Sequence, residues 1–106
     1  MSSYYVHPLD MPDMDNQQAV YDFITKDIGL SMITPTRIKD AVKSKELMAT
    51  KISGNNHFTR RNVLRWLESI GVTIDWQRSD LAAKRDYATR ELIETNAALE
   101  AVMAKN

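Results

Sequence analysis

The sequence predicts a mainly α-helical chain with one small β-hairpin and a long C-terminal helix. Three observations carry that expectation. Thr34-Pro35 is a helix start, a hydroxyl cap followed by proline where its missing N–H costs nothing. The apolar pattern shortens after Leu47 into two β-forming pieces, "LMATKIS" and "HFT", parted by "GNN". Residues 78–104 hold neither glycine nor proline and are rich in Ala, Glu, Leu, Lys and Arg.

Residues 1–14, with Pro8 and Pro12 and no periodicity, read as an extended N-terminal arm. Asp15 is then the expected N-cap, with Gln18 closing a capping box. Val20, Phe23, Ile24 and Ile28 fall at helical spacing, so a first helix spans 16–28 and stops at Gly29. The stretch "LSMI" is a turn. The second helix, from Thr34, has a narrow apolar face of Ile38, Ala41 and Val42 and an opposite surface of Thr36, Arg37, Lys39, Asp40 and Lys43. In the hairpin, "GNN" supplies the residues that tolerate positive φ in a tight turn. Thr59 caps a third helix lined by Val63, Leu67 and Ile70, with Leu64 and Trp66 beside them, and Gly71 ends it. Helix, turn, helix, hairpin, helix is the outline of a winged helix-turn-helix, assigned to residues 15–74. Residues 75–106 form the C-terminal helix. Leu81, Ala88, Leu92, Leu99 and Val102 fit a heptad seam whose remaining positions are Arg85 and Thr95. So long an amphipathic helix is marginal alone in water, so it either pairs with a second copy or folds back over the winged domain.

Composition bounds the function. A chain of 106 residues makes one domain plus an appended element. Without cysteine there are no disulfides and no thiolate metal sites. No apolar run approaches the roughly 20 residues of a membrane helix, and the first residues lack the basic start and apolar centre of a secretory signal. The expected compartment is the cytoplasm, with no membrane partner. No nucleophile–histidine pair, Gly-rich phosphate loop or paired carboxylates are in sight, so an enzyme is not expected. His57 has only the arm's His7 for company, so no metal and no cofactor are expected either.

The net charge is zero but unevenly spread. Residues 1–33 carry one lysine and five aspartates, −4; residues 34–79 carry nine bases and four acids, +5; residues 80–106 carry four bases and five acids, −1. A basic middle between acidic flanks is either a solvated face or a surface for a polyanion, because a local field acts on an approaching phosphate more than the total does.

Residues 35–67, "PTRIKDAVKSKELMATKISGNNHFTRRNVLRWL", resemble the excisionase-type winged helix-turn-helix, a relative of the MerR-type DNA-binding domain. Ser44, Glu46, Leu47, Ala49, Gly54, Phe58, Thr59, Arg60, Trp66 and Leu67 carry the likeness, which covers about a third of the chain. Lys45 departs from it, standing where the family has glycine. So do Met48 in place of a proline, a longer turn between the first two helices, and Arg61 and Asn62 where acids are common. The resemblance implies double-stranded DNA as partner, with the second helix in the major groove and the hairpin beside it. It implies a phage or mobile-element protein: an excisionase working with an integrase, or a small transcriptional regulator working with RNA polymerase. A small-terminase-like packaging factor and a winged adapter without DNA binding are the alternatives.

Thr34, Thr36, Arg37, Lys39, Asp40 and Lys43 are the groove-side candidates. The Arg37 fork suits two guanine acceptors; Asp40 either accepts from a cytosine amino group or pairs within the helix with Arg37 or Lys43. Lys51, Asn55, Asn56 and His57 are the hairpin candidates, and turn geometry alone also accounts for the two asparagines. Arg60 and Arg61 sit in a first helical turn, where the dipole disfavours cations by a few tenths of a kcal/mol, about 0.3 or more each. A phosphate there reverses that sign, so they are either phosphate ligands or simply solvated. Trp66 and Trp76 read as core or core-edge residues rather than base-stacking platforms. Together the helix and hairpin are expected to form one outward cationic saddle. Leu81, Ala88, Leu92, Leu99 and Val102 are the oligomerisation candidates, for a homodimer or a cooperative oligomer on DNA.

Overall fold

The computed structural model describes the backbone of residues 6–104 and the side chains of residues 6–93. Residues 1–5 of the arm and the side chains of Leu99 and Val102 therefore lie outside the described residues. The chain is mainly helical with a two-stranded antiparallel sheet. It divides into two compact units, Met1–Ile74 and Asp75–Asn106.

The start of the first unit differs from the extended arm expected. Pro8–Asp10 form one 3-10 turn, with His7 Nδ1 accepting from the Leu9 N–H at 3.1 Å. Met14 then pairs antiparallel with Phe58, whose N–H reaches the Met14 carbonyl at 2.7 Å. Leu9 and Met14 are buried. Burying two such side chains contributes about 1.5–3 kcal/mol each, enough to hold a segment with no helical or strand period of its own.

Helix α1 (Gln17–Asp22) is capped by Asn16, not Asp15: Asn16 Oδ1 accepts from the Ala19 N–H at 2.7 Å. Gln18 makes no capping box and donates instead to Asp22 Oδ1, one turn on. The helix widens into a π-helical stretch over Phe23–Ile28, where the Thr25 hydroxyl donates to the Tyr21 carbonyl at 2.8 Å. Gly29 ends it with φ 85°, a value that a residue with a Cβ adopts only at a cost.

Helix α2 (Pro35–Lys43) begins as the dipeptide predicts, with the Thr34 hydroxyl accepting from the Arg37 N–H at 3.2 Å. Ile38 and Ala41 are buried and Val42 half-buried. Its exit is strained. Lys45 adopts φ 65°, and the N–H groups of Lys45 and Leu47 return to the Val42 and Ala41 carbonyls. Left-handed backbone costs a residue with a side chain about 1–2 kcal/mol. Lys45→Gly is accordingly expected to stabilise the fold by about 1 kcal/mol, part of the strain relief being offset by the entropy of an unfolded glycine. For a unit of this size that is a rise in Tm of about 4–8 °C by circular dichroism. An unchanged Tm would show that Lys45 contributes a compensating contact.

Strands β1 (Thr50–Ile52) and β2 (Asn55–His57) pair Thr50 with His57, Lys51 with Asn56 and Ile52 with Asn55. The turn is therefore Ser53-Gly54, at φ 52° and 83°, and not Gly-Asn-Asn. Two positive φ angles define the two-residue type I′ turn, whose twist matches that of the strands. Asn55 and Asn56 belong to the strand. Both strands lack a buried residue, so the hairpin projects from the core.

Helix α3 (Arg60–Ser69) is capped by the buried Thr59, which accepts from the Asn62 N–H at 3.1 Å. Its buried face is broader than the expected line, taking in Leu64 and Trp66 fully along with Val63 and Leu67. With Val20, Ile24, Ile38, Leu47 and Phe58 they form the core of the unit.

The second unit is one helix, α4 (Trp76–Ala104), of 29 residues. Asp75 Oδ1 accepts from the Arg78 N–H at 3.0 Å and so caps it. Among the described residues no helix is long and apolar enough to cross a membrane.

Candidate nucleic-acid interface

The predicted site residues fall into three groups. The first is on α2, where Thr34, Thr36, Arg37, Lys39, Asp40 and Lys43 are all exposed. The spacing of 37, 40, 41 and 44 puts those residues on one side of the helix. There Thr34, Thr36, Arg37 and Asp40 line an open hollow of about 390 Å³ with Ser44 and Glu46, floored by Ala41 and Trp66. No ion pair joins Asp40 to Arg37 or Lys43 among the described residues, so the intrahelical alternative for Asp40 is not adopted. Trp66 is buried in the core, as expected, and its indole N–H meets no acceptor. Trp76 is half-buried.

The second group is on the hairpin. Asn55, Asn56 and His57 line a hollow of about 520 Å³ with Asp15, Asn16, Gln17 and Phe58. The chain leaves the Met14–Phe58 bridge at this point to enter α1, which brings the start of that helix beside β2. An acid, Asp15, thus stands next to residues expected to meet a polyanion. Lys51 is exposed on β1 and does not line this hollow. Nothing in the sequence pattern joined residues 15–17 to the hairpin, because the contact runs through a single long-range bridge.

The third group is Arg60 and Arg61, and both are engaged within the first unit. The Arg60 guanidinium lies 5.3 Å from the centroid of the Phe23 ring. Arg61 Nε donates to Asp10 Oδ1 at 2.6 Å, with the two side chains 27% and 44% exposed. Neither arginine is simply solvated. Each of the two arginines thus has a partner inside the first unit.

Besides Arg65 on α3 and Arg78 on α4, which are exposed and unpaired among the described residues, one shorter segment stays open. Arg37, Lys39, Lys43, Lys45 and Lys51 are all exposed and none forms an ion pair, against two acids, Asp40 and Glu46, over the same residues. Lys45 is not one of the predicted contact residues. On α4, Leu81, Ala88 and Leu92 are exposed, as are Tyr87 and Ile93 off the expected seam.

No known family model matches the chain, and neither does any curated protein or solved structure.

Proposed function

We propose that the first unit is a winged helix-turn-helix that binds double-stranded DNA, with α2 in the major groove and the hairpin along the backbone. The supporting observation is the run of exposed, unpaired cations from Arg37 to Lys51 on α2, its strained exit and β1. Phosphate contacts of this kind set affinity and register, and Arg37, at the capped end of α2, is the side chain for a guanine edge. Arg60 and Arg61 act second, since each would exchange an internal partner for a phosphate. The biological setting we propose is that of a phage or mobile-element protein, an excisionase or small regulator, which assembles on DNA through α4 and works beside an integrase or RNA polymerase. It needs no catalysis by this chain.

Titration of the full chain against mixed-sequence duplex tests the reading. With four or five phosphates neutralised, affinity should fall on the order of 100-fold between 50 and 200 mM salt. Arg37→Ala should relax preference at one base position, costing about 1–3 kcal/mol there and little elsewhere. Absence of binding at the lower salt would leave the adapter reading, which Asp10 and Asp15 beside the predicted contacts favour.

A further inference from the structure

We infer that α4 takes a second copy of this chain in antiparallel orientation, along the stripe that holds Leu81, Arg85, Ala88 and Leu92. The inference deepens the self-association part of the proposed function and stands apart from the DNA-binding part. Leu81 and Leu92 are 60% and 61% exposed. They stand three helical turns apart, so they lie on one line of α4 with Arg85 and Ala88 between them. Exposed leucines on one line of an uninterrupted helix call for an apolar partner, and the charges say which way it runs.

Charge is divided along the helix. Residues 76–90 carry Arg78, Lys84, Arg85 and Arg90 against Asp80 and Asp86, a net +2; residues 91–104 carry Glu91, Glu94 and Glu100 and no base, a net −3. Two copies in parallel register lay each half on its like. Antiparallel copies lay the basic half of each on the acidic half of the other, which is the favourable arrangement.

The stripe leads to the same direction. In a parallel pair, Arg85 meets the partner's Arg85 inside the seam, and Ala88 meets the partner's Ala88 and leaves a gap. In the antiparallel pair that sets Leu81 against the partner's Leu92, Arg85 lies across the partner's Ala88. The small side chain there lets the arginine stem cover apolar surface while its guanidinium reaches water. That register also brings Lys84 opposite the partner's Glu91, twice by symmetry. Lys84 now holds Asp80 at 3.0 Å, with side chains 50% and 29% exposed, a partly solvated pair that contributes little and can be exchanged.

Sedimentation equilibrium of the full chain without DNA reads the association, and two charge reversals read its direction. Lys84→Glu and Glu91→Lys should each weaken self-association about fivefold, and the double variant should recover the parent affinity. A parallel pair gives no such recovery. The chain contains no cysteine, so introduced thiols report geometry directly. Leu81→Cys alone should not cross-link on oxidation, because antiparallel copies hold those positions about 16 Å apart along the axis. Leu81→Cys mixed with Leu92→Cys should give a disulfide-linked dimer. Self-linking of Leu81→Cys, or a chain that stays monomeric at high concentration, overturns the inference and leaves duplex binding untouched. Loss of duplex binding in the parent protein likewise leaves this result standing.

Discussion

Trp66→Ala is expected to cost the first unit about half of its stability. Trp66 is 1% exposed and packs in a core shared by α1, α2, α3 and the residues flanking the hairpin. Truncating a buried tryptophan costs about 3–5 kcal/mol, through lost transfer energy and the cavity left behind. A unit of this size has only about 4–11 kcal/mol in hand. Urea denaturation followed by circular dichroism should show the midpoint falling by half or more. Trp66→Phe should behave quite differently. The indole N–H is buried without an acceptor, so its removal relieves an unmet donor that costs about 1–3 kcal/mol and offsets much of the lost volume. A phenylalanine variant as unstable as the alanine variant would show that the indole N–H is in fact hydrogen-bonded.

The second large effect is on binding. Reversing Lys39, Lys43 and Lys51 together to glutamate should abolish duplex binding at moderate salt. The expected loss is on the order of 100-fold for every sequence, with a salt slope shallower by about three. The fold should survive, because all three side chains are exposed and hold no ion pair. Thermal unfolding of the triple variant should match the parent within a few degrees. Reversing Arg60 and Arg61 is a poorer experiment than the sequence suggests. It would set a carboxylate against Asp10 and remove the cation over Phe23, so a loss of binding there would be confounded with a loss of stability. Binding that survives the lysine reversal would place the interface elsewhere.

Much of the fold was legible because its determinants are local. Thr34-Pro35 and Thr59 cap helices by hydroxyls that reach N–H groups three residues on, and such contacts are written in consecutive residues. Gly29 likewise ends its helix from its own backbone freedom. The errors came where neighbouring residues offer the same chemistry. Asp15 and Asn16 are both good caps, and only the direction of the chain leaving the Met14–Phe58 bridge selects Asn16. Ser53-Gly54 and Gly54-Asn55 both suit a tight turn, and the pairing of Lys51 with Asn56 selects the first.

The sequence by itself determined that this chain is mainly helical, where α2 and α3 begin, that a hairpin lies between them, and that its basic residues crowd the middle third. These follow from capping, periodicity and composition, which act within a few residues. Only the tertiary structure decided which of those basic residues are spoken for. Asp10 lies 51 residues from Arg61, and Phe23 is 37 residues from Arg60; no local pattern encodes either meeting. The arm that carries Asp10 is held by the burial of Leu9 and Met14, a property of the whole core. Charge can be counted along a chain, but its neutralisation depends on distance in space, and distance is what folding sets.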